Sequence, residues 1–320
     1  MSHAHDRSTP DASPQSDAPK IAVAGAACID MTLRDIPSDW ISQIGGDDYH
    51  AAPIRRLDQP VCMHLGGNGG AAAYVMGKLG ANVELNAPIA DDDAGMLVRH
   101  WLREANVHLI APQGDSTMFG ITAATGDGVR LGTLQHPSSA IQWHLTAQSD
   151  AAWTLIAAYR SATRAEFADL NRALPQFTGT VALDTGVGWM PDIAARQMHD
   201  LWQQIDMLIG TTDELAHWTG CDDPHESAAI ALQHGPKTIV IKMDEHGAAW
   251  QSADEPFTIQ PAQPITRGDL SIGAGDAFNG ALVVSLARGE PLDSAVSAAQ
   301  QIAAKVVEVG RGVIGWGENQ

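Results

Sequence analysis

The sequence predicts an α/β protein: a doubly wound, mostly parallel sheet flanked by helices, with a small β-lid outside that sheet. Three observations predict it. Short, nearly uninterrupted apolar runs recur along the chain, as strands buried on both faces require. Helical patterns alternate with those runs. Two stretches rich in Gly, Pro and Asp fit neither pattern.

The first run, IAVAGAACIDM after Lys20, reads as a single central strand. Further strands are read in VELNAPIA from Val83, WTLIAA from Trp153, TVALD from Thr180, IDMLIG from Ile205 and KTIVIK from Lys237. Helical patterns fill the gaps at Ala71–Leu79, Ala94–Glu104, Arg164–Leu174 and Glu226–Gln233. Thr32–Leu65 and the Gly-punctuated stretch Gln113–Pro137 are the two exceptions, and they read as strands of the lid.

The 320 residues accommodate one large domain, read here as residues 20–320. Residues 1–19 are polar and rich in Ser, Pro and Asp, so they read as a disordered tail. Nineteen basic residues face 38 acidic ones, a net charge of −19, which argues against nucleic acid or an anionic membrane as partner. Cys28, Cys62 and Cys221 are scattered without CxxC spacing and read as reduced thiols of a cytoplasmic protein, with no zinc site or disulfide frame. No run of 18 apolar residues suggests a membrane span.

One stretch carries chemistry: SIGAGDAFNGALVVSL, Ser271 to Leu286. Phe278, Leu282 and Leu286 recur at steps of four, a helix with one buried stripe. Gly273, Ala274 and Gly275 precede it, where backbone N–H groups lack intrahelical partners and glycine admits a ligand closely. Amides and helix dipole together form an anion site. An Asp in a first turn, as Asp276 is, often does no more than stabilise the helix end. The adjacent glycines and the apolar helix behind them point instead to a phosphate site. It is neither a Walker A loop, having no Gly-Lys-Ser/Thr, nor a dinucleotide fingerprint.

GAGDAFNGAL resembles the C-terminal signature of the ribokinase (PfkB-type) family of sugar and nucleoside kinases. The resemblance implies that Asp276 is the general base for a substrate hydroxyl and that the Gly273–Gly275 amides hold the transferring phosphate. Such a step depends mainly on positioning and charge stabilisation. VAGAACID resembles the family's first strand, with Asp30 at its end binding sugar hydroxyls. LGGNGGAAAYVMGKLGA resembles its Gly-Gly segment, placing Gly66, Gly67 and Asn68 at the substrate. In isolation that stretch reads equally as a turn before a helix. TTDELAHWTG sits where the family has Asn-x-x-Glu, so the resemblance implies Thr211 near the nucleotide and Glu214 at Mg²⁺. IVIKMDEHGAAW implies Lys242, Asp244 and Gly247 at ATP phosphates and ribose, and the last helix implies Gln301 beside adenine.

Four departures from the family pattern stand out. Ala71 and Thr211 stand where Asn is usual, Gly186 and Gly188 replace an Asn-x-Arg pattern after Asp184, and Leu270 replaces an Asp. The last removes a carboxylate from the family's K⁺ site, so activity is expected to need ATP and Mg²⁺ but K⁺ only weakly. The expected reaction is phosphorylation of a hydroxyl on a sugar or sugar acid. A nucleoside substrate is the alternative, with Trp40, Tyr49, Met118 and Phe119 as a base clamp, though such residues serve equally as core or interface. A sugar-binding sensor without catalysis is a third reading, disfavoured by Asp276 standing beside an anion hole. A small lid sheet would expose an apolar face, so a homodimer through the lid is expected.

Overall fold

The apolar run after Lys20 does not make one strand. The structure, a computed structural model, describes residues 18–39, 58, 61–110, 114–126, 130–136, 139–157, 163–185, 193–265 and 271–320. Within these, β1 (Lys20–Ala24) and β2 (Cys28–Leu33) belong to different sheets. The break falls where the Ala26 carbonyl accepts the Gly70 amide at 2.9 Å, and where Gly25 lies so close to Gly69 and Ala157 that a Cβ would clash. Asp30 therefore sits mid-strand in the second sheet, and not at the end of the first strand of the main one.

In chain order the remaining strands are β3 (Cys62–Gly66), β4 (Asn82–Asn86), β5 (Val107–Leu109), β6 (Met118–Ala124), β7 (Arg130–His136), β8 (Trp153–Ile156), β9 (Thr180–Asp184), β10 (Met207–Thr211), β11 (Thr238–Lys242), β12 (Ala248–Ser252) and β13 (Thr258–Gln260). The main sheet has nine strands in the order β13-β12-β11-β10-β9-β8-β1-β4-β5. It is parallel except at the β12 and β13 edge, which pairs antiparallel. That edge and β5 carry too few apolar residues in a row to be read from sequence.

Alternate residues of each strand feed opposite faces. Val23, Leu155, Ile209 and Val240 face one core with helices α1 (Asn68–Lys78), α2 (Asp93–Glu104), α8 (Ala274–Ala287) and α9 (Leu292–Val309). Ala24, Ile156, Leu208 and Ile239 face the other, with α4 (Arg164–Ala173), α5 (Ala195–Trp202), α6 (Thr212–Thr219) and α7 (Pro224–Gln233). The short helices α3 (Trp143–Ala147) and α10 (Gly312–Gly317) complete the set among the described residues. This is the doubly wound arrangement with helices on both faces.

Helix α8 differs from its expected single stripe: every residue from Ala277 to Ser285 is buried. It lies between α1 and α9, and Gly280 lets it approach the Ala72 carbonyl of α1.

The second sheet has the order β3-β2-β6-β7. It draws on both Gly- and Pro-rich stretches but begins earlier than expected, at Cys28. Its outer face shows Met63 at 51% and Leu134 at 76% exposure. Residues 1–17 of the expected tail, Trp40, Tyr49, Gly186, Gly188 and Leu270 lie outside the described residues.

Candidate active site

Parallel strands bring their C-terminal ends to one edge, and ligands bind in the crevice beyond that edge. Here Asp184 ends β9, Thr211 ends β10 and Lys242 ends β11. The N-terminus of α8 comes to the same edge. Gly273 caps it with φ +79°, a left-handed conformation that favours glycine, and Asp276 follows in the first turn.

A cavity of about 430 Å³ opens between this edge and the second sheet. From the second-sheet side it is lined by Cys28, Asp30, Gly66, Met118, Thr122 and Thr133. Gly67 and Asn68 line it from the start of α1. Gly67 adopts φ +75° and a Cβ there would strike the Ala26 carbonyl. From the strand ends come Asp184, Thr211 and Lys242, from the first turn of α6 Glu214, and from α8 Gly273, Gly275 and Asp276.

Asp30 faces this cavity from between two glycines. It pairs in register with Gly120 of β6, and Gly66 lies two residues along β3 from its other partner, His64. A Cβ at either glycine would fall on the Asp30 carboxylate. Cys28, on the same face of β2, donates its thiol to Asp30 Oδ1 at 3.7 Å. Burial, then the negative charge of Asp30, push the Cys28 thiol well up from its ordinary value, and Asp276 adds to the push. The thiol is therefore neutral.

Lys242 Nζ stands 3.1 Å from Asp184 Oδ1 and 3.3 Å from Asn279 Oδ1. Burial alone would lower its pKa, but the carboxylates of Asp184, Glu214 and Asp276 outweigh it and hold the ammonium above the ordinary value. Four carboxylates, those of Asp30, Asp184, Glu214 and Asp276, line the cavity against one ammonium among the described lining residues. The excess of negative charge fits a divalent cation carried in with a nucleotide. Among the described residues no group of three or more His, Cys, Asp or Glu is placed to hold a metal ion by itself. Mg²⁺ needs no such cage, since it is commonly bound by one or two carboxylates, water and substrate phosphates.

Thr211 and Glu214 form a capping box on α6. Glu214 N donates to Thr211 Oγ1 at 3.3 Å, and Thr211 N donates to Glu214 Oε2 at 2.9 Å. This holds Glu214 at the cavity wall.

A second cavity, of about 750 Å³, is lined by residues of both α8 and α9. Lys242, Asp244, Gly247, Ala274 and Gly275 line it, together with apolar side chains of Ile265, Phe278 and Val307. Asp244 adopts φ +48°, one of three described non-glycine residues with positive φ. Lys242, Ser271 and Gly275 line both cavities.

Three expected residues stand differently: Gln301, Ala274 and Phe119. Gln301 is exposed and lines neither cavity, whereas its neighbour Gln300 is buried, lines the second one and donates to the Gln260 carbonyl at 3.1 Å. Helical periodicity accounts for this, because successive residues point about 100° apart. The Ala274 amide donates to the Ser271 carbonyl at 3.1 Å. Of the expected base clamp, Met118 lines the first cavity and Phe119 does not. Asp184, Ser271 and Asn279 were not singled out from sequence as site residues. The position of Asp184 at the end of a parallel strand is the signal that could have found it.

A family model for pfkB family carbohydrate kinase matches residues 44–315. Among solved structures, the chain is similar to Arabidopsis thaliana ribokinase complexed with ribose and ATP, at TM-score 0.75 and 20% identity, covering 93% of this chain and 95% of that one. It is also similar to adenosine kinase from Sinorhizobium meliloti, at TM-score 0.74 and 17% identity, covering 92% and 96%. Ribokinase from Cryptococcus neoformans in complex with ADP matches at TM-score 0.71 and 18% identity, covering 94% and 97%. At these identities the structural likeness concerns the fold.

Proposed function

Because this chain belongs to the pfkB family and is a carbohydrate kinase, we propose that it transfers the γ-phosphoryl group of ATP to a hydroxyl of a sugar or sugar acid. The observation that carries this reading is the shared wall. Lys242, Ser271 and Gly275 line both cavities, and Asp276 lines the first of them beside that wall. The two cavities therefore adjoin at Lys242 and the start of α8.

In this reading Asp30 accepts hydrogen bonds from substrate hydroxyls, while Gly66 and Gly67 let the substrate lie against the backbone. Asp276 takes the proton of the attacking hydroxyl as its oxygen bonds to phosphorus and the bond to the ADP oxygen breaks. The charge on the moving phosphoryl group is met by the Gly273–Gly275 turn, the helix dipole and Lys242. Within that turn the Gly275 amide is the stronger candidate donor, since the Ala274 amide is committed to Ser271. The second cavity takes the nucleotide, with Asp244 and Gly247 near its ribose and phosphates and apolar residues around the base. Glu214 is the carboxylate that would hold Mg²⁺, which neutralises phosphate charge when bound.

A nucleoside acceptor is the second reading. Met118 and Cys28 give the first cavity an apolar wall next to Asp30, which suits a base beside a ribose diol. The structural likeness to an adenosine kinase also supports it. The exposed Met63 and Leu134 support a homodimer through the second sheet.

ADP release, measured with Mg²⁺ and a panel of sugars, sugar acids and nucleosides, tests the reading. Turnover dependent on one acceptor class supports it, and no acceptor dependence contradicts it. Repeating the assay with K⁺ replaced by a bulky organic cation is expected to change the rate little.

A further inference from the structure

We infer that Asn279 is a positioning residue: together with Asp184 it aims the Lys242 ammonium at the phosphoryl group as it passes between the two cavities. The inference rests on the kinase reading above and goes beyond it by giving a role to a residue outside the Gly273–Asp276 turn.

Three elements supply the cluster. Lys242 ends β11, Asp184 ends β9, and Asn279 lies three residues beyond Asp276 on α8. The acceptor atoms stand 3.1 Å and 3.3 Å from Lys242 Nζ. Asp184 is 3% exposed and Asn279 1%, so both acceptors are fixed in the protein interior. Lys242 itself reaches both cavities. A Cβ on Gly275 would lie 3.8 Å from its Nζ, which puts the ammonium beside the first turn of α8.

A lysine ammonium is a point charge on a flexible stem with three donors and no acceptor, and on its own it holds direction poorly. Two acceptors from different elements spend two of the three donors and fix the third. Asp184 alone would hold Lys242 as an ordinary buried ion pair. The neutral carbonyl of Asn279 adds a second direction without adding a fifth carboxylate to a cavity that must admit phosphate. The sequence holds little to mark this, because Asn279 stands among apolar residues of a helix whose interior position only the fold reveals.

The test compares two nucleotides. Calorimetric titration with Mg²⁺ measures binding of ADP and of the non-transferable β,γ-imido analogue of ATP to the wild type, Asn279→Ala, Asn279→Leu and Asp184→Asn. The wild type is expected to prefer the imido analogue. In the Asn279 variants that preference should fall at least about tenfold, the scale of one charge-assisted hydrogen bond, while ADP affinity stays within about twofold. Their kcat should fall with the acceptor KM unchanged. Asn279→Leu keeps the branched shape and heavy-atom count of the side chain, so a folding defect in Asn279→Ala does not decide the outcome. Asp184→Asn keeps an acceptor and should lose part of the preference. A preference that survives in both Asn279 variants overturns the inference and leaves the kinase reading standing. Parallel loss of both affinities also overturns it, since that marks a structural role. A wild type that binds neither nucleotide overturns both.

Discussion

The carboxylate of Asp30 occupies the space in which a Cβ on Gly66 would stand. The two residues lie on neighbouring strands, β2 and β3, and the missing side chain of one makes room for the carboxylate of the other. Gly66→Ala is therefore expected to displace the Asp30 carboxylate and raise the acceptor KM by about tenfold or more, on the scale of a lost polar contact to a substrate hydroxyl. Asp30→Ala should do the same. ATP KM should stay near its wild-type value in both, because Asp30 lines only the first cavity. Steady-state kinetics with each substrate varied in turn checks this, and a rise confined to ATP KM would place Asp30 on the wrong side.

Asp276→Asn tests the base. The substitution keeps the size and the helix start, so both substrates should still bind. Loss of proton acceptance should lower kcat by roughly two orders of magnitude or more. Calorimetry for binding and ADP release for turnover check the split, and wild-type turnover would remove Asp276 from the role.

His64 predicts a pH effect on stability. The residue is 1% exposed, and burial, the largest influence, lowers its pKa from the ordinary 6.5. The Arg311 backbone and the Asp30 charge push the other way, while Arg34 and Arg311 charges add to the lowering. The native state therefore resists a proton that the unfolded chain accepts at about 6.5. As pH falls through that value the unfolded state binds more protons, so stability declines. Urea unfolding at pH 8 and pH 5 should show this decline in the wild type and a smaller one in His64→Phe. An equal decline in both would show that other groups dominate.

The parallel core of the sheet was legible because strands such as Thr180–Asp184 and Thr238–Lys242 are continuous apolar runs, buried on both faces. The split after Ala24 was not, because every residue from Ile21 to Cys28 is apolar or Gly and only the docking of α1 on Ala26 decides where the strand ends. The GAGD turn was legible through its glycines. Asn279 was not, since its role depends on Lys242 arriving from a strand 37 residues earlier. The choice of Gln300 over Gln301 depends on helix phase, which the flanking apolar pattern fixes only loosely.

The outer face of the second sheet predicts self-association. Met63→Lys with Leu134→Glu should convert a dimer to a monomer in light scattering at micromolar concentration. A wild type that is already monomeric there contradicts the dimer and leaves the chemistry untouched.

In the proposed reaction the two cavities serve one transfer that crosses at Lys242, Gly275 and Asp276. Transfer of label from γ-³²P-ATP to the best acceptor of the panel tests it most directly, with ADP measured in the same tube. The expected result is one labelled phosphate ester formed per ADP, dependence on acceptor and Mg²⁺, and near-complete loss in Asp276→Asn. Label released as inorganic phosphate whether or not an acceptor is present, or transfer undiminished in Asp276→Asn, would contradict it.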